Sequence, residues 1–184
     1  LKKNFKIIFT DLDVFNSFYK NQSITITGTN GKSTTCQLLY EILHKQGLDV
    51  KLAGNIGYPI LSTKNINQNS IFIIEASSYQ LEYSKLFYSK YAAILNISAD
   101  HLERHRNLKN YLSIKFKLIK NQKKGSTAFI NKYDFNINKK INKENYKSKI
   151  IKVNTKLKNK DLDIFKNNYF LSSSNKENLS FVLA

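Results

Sequence analysis

Ser23-Ile24-Thr25-Ile26-Thr27-Gly28-Thr29-Asn30-Gly31-Lys32-Ser33-Thr34 runs from a β-branched strand through a glycine loop into the start of a helix. Glycines let the backbone turn tightly and aim N–H groups at a phosphate, and the helix N-terminus adds positive potential. Lys32 supplies a point charge, and the Ser33 hydroxyl can ligate Mg²⁺. Gly28, Thr29, Asn30, Gly31, Lys32, Ser33 and Thr34 therefore read as a cradle for nucleotide phosphates. The motif is shorter at its front than the general pattern G-x-x-x-x-G-K-[ST], which would need glycine at Ile26. A glycine turn that merely caps a helix would explain the glycines but leave Lys32 and Ser33 as coincidence.

Outward from this stretch, the helix is expected to run from about Ser33 to Gln46, with Gly47 closing it. Val50 to Ala53 reads as a short strand leading into Gly54-Asn55-Ile56-Gly57-Tyr58-Pro59. Ile71 to Glu75 and Tyr91 to Ile97 are apolar runs of buried-strand length, separated by helical sequence from about Tyr79 to Leu86. Leu108, Tyr111, Leu112, Phe116 and Ile119 set a helical period over Asn107 to Asn121, and Thr127 to Asn131 returns to strand. Before the first strand, Phe5, Ile7, Ile8 and Phe9 suggest a short strand and Asp11 to Tyr19 a short helix or turn. After Tyr133 the expectation is short strands near Ile150 to Val153 and Tyr169 to Leu171, then a helix from Lys176. Alternating strands and helices imply crossover connections. The expected class is α/β, a mostly parallel sheet flanked by helices in the P-loop NTPase manner, with a small β-rich C-terminal part.

With 184 residues the chain is long enough for one domain with a real core, or for one domain plus part of a neighbour. No apolar run approaches the roughly 20 residues that a membrane-spanning helix needs. Cys36 is the single cysteine, so no internal disulfide is possible, and a reducing cytoplasm is the expected compartment. Methionine is absent, so Leu1 is not a start residue and the chain is read as a fragment. The net charge of +17 invites a nucleic-acid reading. Yet 28 of the 30 basic residues are lysine, and only Arg104 and Arg106 offer the bidentate fork on which base readers rely. The lysine excess from Lys115 to Lys160 reads as solvated surface, and neither a nucleic acid nor a membrane is expected as partner.

Glu75 closes an apolar strand, and Asp100-His101 follows another in the same way. In open parallel sheets ligands bind at the carboxyl ends of strands, where the phosphate loop also lies. Glu75 and Ser33 then suit a hard divalent cation shared with the phosphates, and His101 could reach a second ion or the substrate. A helix cap for Asp100 and a surface imidazole for His101 are the bland alternatives; convergence of the three stretches favours the site.

Gly28-Thr29-Asn30-Gly31-Lys32-Ser33, Gly54-Asn55-Ile56-Gly57-Tyr58-Pro59, Glu75-Ala76-Ser77-Ser78-Tyr79-Gln80-Leu81 and Asn96-Ile97-Ser98-Ala99-Asp100-His101-Leu102-Glu103-Arg104-His105 occur in order. Together they resemble the central ATPase domain of the Mur ligases of peptidoglycan synthesis. Asn-Ile-Gly and Ser-Ser-Tyr-Gln-Leu are most similar to the branch that adds D-glutamate to UDP-N-acetylmuramoyl-L-alanine. The resemblance is strong from about Ser23 to Asn131.

The resemblance implies ATP-dependent amide ligation through an acyl phosphate. It implies that Lys32 and the loop amides hold ATP, that Ser33 and Glu75 bind one Mg²⁺, and that His101 and Lys115 serve a second. Lys115 falls where the family has a carbamylated lysine; read without the family, it is a solvated charge on an amphipathic helix. Asn55, Ser77, Gln80 and His101 are implied near the muramoyl substrate. Asn175, in a segment where Ser174 replaces the family's histidine, is implied beside adenine. By the same resemblance residues 1–22 end a UDP-binding domain and residues 23–184 form the central domain of a monomer. This portion alone is expected to bind nucleotide weakly and not to complete ligation. Folylpolyglutamate synthase, another amino-acid ligase on this scaffold, and a non-catalytic nucleotide or nucleic-acid binding module are the alternatives.

Overall fold

The computed structural model describes residues 8–100, 102–157 and 168–184. Six parallel strands form one sheet in the order β2-β3-β1-β4-β5-β6. They are β1 (Ser23–Thr27), β2 (Val50–Gly54), β3 (Ile71–Glu75), β4 (Tyr91–Ile94), β5 (Thr127–Asn131) and β6 (Lys149–Val153). Among the described residues the helices are α1 (Asp11–Phe18), α2 (Lys32–Lys45), α3 (Ser78–Tyr83), α4 (Leu102–His105), α5 (Leu108–Lys120), α6 (Phe135–Ile141) and α7 (Ser173–Val182). Register places Glu75 beside Ile26 and Gly54, and Thr27 beside Ile94. The carboxyl ends of the four strands β1 to β4 therefore open at one edge of the sheet.

Strand alternation divides the core between the two faces. On one face Phe72 and Ile74 pack with Leu12 and Phe15 of α1, Leu81 of α3, and Ile114 and Leu118 of α5. On the other, Ile26 and Ile73 pack with Cys36, Leu39 and Leu43 of α2 and Phe181 of α7. A third cluster seats Tyr111, Phe116 and Ile119 of α5 against Ala128 and Ile130 of β5 and Ile137 of α6. Local signals set the helix ends. Thr10 with Asp13, and Ser77 with Gln80, form capping boxes at α1 and α3. Gly47, at φ 80°, ends α2: its N–H reaches His44 O and the Leu48 N–H reaches Leu43 O, the paired bonds of a Schellman stop.

Several boundaries differ from the sequence reading. Of the strand expected over 5–9, residues 5–7 lie outside the described residues and residues 8–9 carry no strand. The helix expected to reach Leu86 ends at Tyr83, because the N–H groups of Lys85, Leu86 and Phe87 turn to the Asp13 carboxylate. β4 stops at Ile94 rather than Ile97: beyond Leu95 the backbone leaves the ladder, and Asn96 O accepts the Thr29 N–H of the phosphate loop. The strand expected at Tyr169 to Leu171 is a 3-10 turn (Asn168–Leu171), and α7 starts three residues before Lys176 because Ser172 caps it, its side chain accepting from the Asn175 N–H. Among the described residues the small β-rich part expected after Tyr133 thus reduces to β6, which extends the main sheet, and the other elements there are helices and a 3-10 turn. The sequence reading did not contain α4 or α6; Asp134 caps α6. Among the described residues no helix is long and apolar enough to cross a membrane.

Candidate functional site

The loop between β1 and α2 is pinned from both sides. Gly31 caps α2 in the left-handed region, at φ 82° and ψ −4°. Thr29 Oγ1 accepts the Ser98 N–H at 3.0 Å, and the Asn30 N–H donates to Asn96 Oδ1 at 2.9 Å. The Lys32 ammonium folds over the loop and donates to the Thr29 carbonyl at 2.7 Å. A positive charge, a helix N-terminus and several loop amides thus gather at the carboxyl end of β1, the arrangement that binds phosphate.

Glu75 ends β3 with its side chain toward this loop and is 1% exposed. One carboxylate oxygen accepts from Ser33 Oγ at 2.8 Å, the other from Asn55 Nδ2 at 2.8 Å. Three separate connections, after β1, β2 and β3, therefore meet at one buried carboxylate. Cys36 lies one turn into α2; burial and then the Glu75 charge push its thiol pKa far up, so it stays a neutral core residue.

Lys115 enters from α5 and is 1% exposed. Its Nζ donates to Gly28 O at 2.9 Å and Thr27 Oγ1 at 3.3 Å, and sits 4.6 Å from the centre of the Tyr111 ring. Burial, with the nearby Lys32 charge, lowers its pKa to about 7, against the opposing pull of Asp100 and Glu75. Lys32, Asn55, Ser77, Ser78, Tyr79, Asp100, Tyr111 and Lys115 line a cleft of about 150 Å³. The structure therefore brings the phosphate loop, Asn55, Glu75, Ser77, Asp100 and Lys115 to one place.

Other expected residues stand apart. Gln80 serves the α3 capping box and donates to Asp11 Oδ2 at 3.0 Å, behind Ser77. Asn175, in the first turn of α7, donates through Nδ2 to Tyr169 O at 2.7 Å. His101 lies outside the described residues. Among the described residues there is no group of three or more His, Cys, Asp or Glu side chains able to hold a metal. The oxygen donors Ser33 and Glu75 fit instead an ion such as Mg²⁺, which takes one or two carboxylates and completes its shell with phosphates and water. Sequence reasoning assigned no role to Asn96, Tyr111 or the buried His105, whose Nε2 lies 3.0 Å from Ser78 Oγ. Asn96 carried a signal, being the first polar residue after the buried run of β4; Tyr111 carried none beyond a core period.

Residues 26–182 match the model of the Mur ligase middle domain. The chain is 44% identical over 133 residues to the UDP-N-acetylmuramoylalanine--D-glutamate ligase of Rickettsia felis, covering 71% of this chain and 29% of the relative. It is 41% identical over 142 residues to the ligase of the same name from Caldicellulosiruptor bescii, covering 76% and 31%. The chain thus spans about three-tenths of the length of these curated relatives. Among solved structures it is similar to the MurF ligase of Thermotoga maritima in complex with ADP, with a TM-score of 0.58, 20% identity, and 76% of this chain and 34% of that one covered.

Proposed function

Since the chain belongs to the Mur ligase family, we propose that it is the ATP-binding, phosphoryl-transferring part of a ligase that joins D-glutamate to UDP-N-acetylmuramoyl-L-alanine in peptidoglycan precursor synthesis. Residues 23–184 form its central domain, and residues 1–22 lead in from a UDP-binding part. The observation that carries this reading is the convergence of the Gly28–Ser33 loop with Glu75, bonded to Ser33, and with Lys115, bonded to Gly28 O, beside a cleft that Lys32 and Lys115 line. Identity to D-glutamate ligases supports this branch over folylpolyglutamate synthase.

A carboxylate is a poor acylating agent and repels a triphosphate, so the site must hold both anions close and in line. The loop N–H groups and Lys32 bind the β- and γ-phosphates, with Lys32 exchanging the Thr29 carbonyl for phosphate oxygens. The muramoyl carboxylate then attacks the γ-phosphorus and ADP leaves, giving an acyl phosphate. The D-glutamate amine adds to that acyl carbon, and the tetrahedral intermediate expels phosphate as the amine loses its proton. Asn55 and Ser77 orient the muramoyl substrate, and Gln80 acts behind them by fixing Ser77. In this reading Asn175, on α7, contacts adenine once its amide leaves the Tyr169 carbonyl.

Ser33 and Glu75 would hold one Mg²⁺, and His101 and Lys115 a second; bound there, the ions screen the two anions and neutralise charge on the transferring phosphoryl group. With a pKa near 7, much of Lys115 is a neutral amine at neutral pH. That amine can add to CO₂ and release a proton, becoming an anionic carbamate with oxygen donors. A free ammonium would repel a cation.

The test is ADP and ATP binding with and without Mg²⁺, alongside phosphate release from the full-length polypeptide. Binding should strengthen with Mg²⁺ and be lost in Lys32→Ala, and phosphate release should require both the muramoyl substrate and D-glutamate. Release driven equally by folate and L-glutamate would refute the branch. Oligonucleotide binding with a steep salt slope that survives Lys32→Ala, without nucleotide binding, would refute the enzyme.

A further inference from the structure

Asn96 has both ends of its amide committed. Its Oδ1 accepts the Asn30 N–H at 2.9 Å, and its Nδ2 donates to Asn30 O at 3.3 Å. This is the two-bond exchange of a strand pair, made by a side chain, and it fixes the peptide orientation in the middle of the phosphate loop. The same Nδ2 donates to Glu177 Oε1 at 2.8 Å, across to α7. The next residue of α7, Asn178, comes so close to the loop that a Cβ on Gly31 would lie 2.1 Å from Asn178 Oδ1. Two consecutive residues of α7 thus meet two consecutive residues of the loop, one through Asn96 and one directly.

We propose that Asn96 is a positioning residue that couples the phosphate loop to α7. Thr29 and Asn30 spend their N–H groups on Asn96 rather than on phosphate, so Asn96 shapes the loop while the amides that follow Asn30 remain for the ligand. Glu177 holds the Asn96 amide in the rotamer that does this. Its carboxylate can only accept, so the Asn96 nitrogen faces α7 and the oxygen faces the Asn30 N–H. Displacing α7 would free the amide and loosen the loop; ordering the loop would seat α7. For its binding readout the inference rests on the loop being a nucleotide site.

The experiment compares Asn96→Ala, Asn96→Asp, Glu177→Gln and the double variant Asn96→Asp/Glu177→Gln in two measurements. These are the Kd for ADP with Mg²⁺, and amide hydrogen exchange in residues 28–34 and 173–182 without nucleotide. Asn96→Ala should weaken ADP by about tenfold, because it removes the two side-chain bonds that shape the loop and the one to the Glu177 carboxylate. Asn96→Asp should weaken it further, because two carboxylates then face each other. In the double variant the glutamine amide donates to the new carboxylate, so affinity should recover. Exchange should quicken in both segments in Asn96→Asp and slow in both in the double variant. Additive losses in the double variant, a lower Tm with unchanged Kd, or quickened exchange confined to the loop would overturn the coupling. If the wild-type protein binds no ADP, the nucleotide reading falls, and the exchange data alone decide the coupling.

Discussion

Ser33 Oγ donates to Glu75 Oε2 at 2.8 Å, so a hydroxyl from the first turn of α2 and a carboxylate from the end of β3 already face one point. Glu75 is nearly inaccessible, and the hydrogen bonds from Ser33 and Asn55 bring no positive charge to it. Burying a carboxylate in this way opposes folding, and the cation proposed to be shared with phosphate would relieve it. Glu75→Gln keeps the shape and removes the charge. We expect its Tm to be equal to or above that of the wild type, while Mg²⁺-dependent phosphate release falls by about a hundredfold or more. A large stability loss with activity retained would show that Glu75 is only a structural link.

Lys115 gives a pH signature. Its pKa falls from the ordinary lysine value to about 7 in the folded chain. Between those values the unfolded chain holds a proton that the folded chain has released, so stability rises with pH across that window. Below about 7 both states are protonated, and the slope from this group vanishes. In CO₂-free buffer, the Tm of the wild type should climb from pH 7 to 9.5 relative to Lys115→Met. Parallel Tm curves would mean the ammonium is solvated. Activity of Lys115→Ala should be partly restored by added acetate or formate, which supplies the missing oxygen anion.

Asp13 ties α1 to the segment after α3. Its buried carboxylate accepts Ser84 Oγ at 2.7 Å and the N–H groups of Leu86 at 2.8 Å and Phe87 at 2.9 Å, as well as that of Thr10 at 3.1 Å. Burial alone would raise its pKa, but the Ser84 hydroxyl and these amides outweigh it and hold the group below the usual carboxylate value. A depressed pKa means that this stability is present above the unfolded value and lost as pH falls through the folded one. Asp13→Asn, which turns an amide nitrogen toward N–H donors, should cost about 2–3 kcal/mol in urea unfolding at pH 7 and flatten the acid limb. An unchanged acid limb would remove Asp13 as its source.

These features were unevenly legible in the sequence. The strand-loop-helix at Ser23 to Thr34 could be read because β-branched residues, glycines and a helical period fall in immediate succession, and β3 because four consecutive apolar residues, Ile71 to Ile74, end on Glu75. α6 was hidden because its polar face is Asn and Lys, the residues that bias the whole chain, and only Ile137 is buried. Tyr169 to Leu171 has strand-forming residues, but the Ser172 cap three residues on leaves room only for a turn. Lys115 shows the limit most clearly. A lysine within an apolar period reads as solvated, yet α5 buries Ile114, Lys115, Phe116, Leu118 and Ile119 because its partners lie on more than one side. Only the family resemblance drew it toward the site.

Gly31 and Gly47 share a backbone conformation, at φ 82° and 80°, and differ in surroundings. A Cβ on Gly47 would meet nothing within 4 Å, so Gly47→Ala suffers the left-handed penalty alone, about 1 kcal/mol. A Cβ on Gly31 would in addition lie 2.1 Å from Oδ1 of Asn178, so this side chain, 4% exposed, must shift against α7 or the loop. We expect Gly31→Ala to lose clearly more stability than Gly47→Ala and to weaken ADP at least tenfold, while Gly47→Ala binds ADP as the wild type does. Paired urea melts and ADP titrations decide it. Equal stability losses in the two variants, with ADP binding intact in both, would mean that α7 does not press on the phosphate loop.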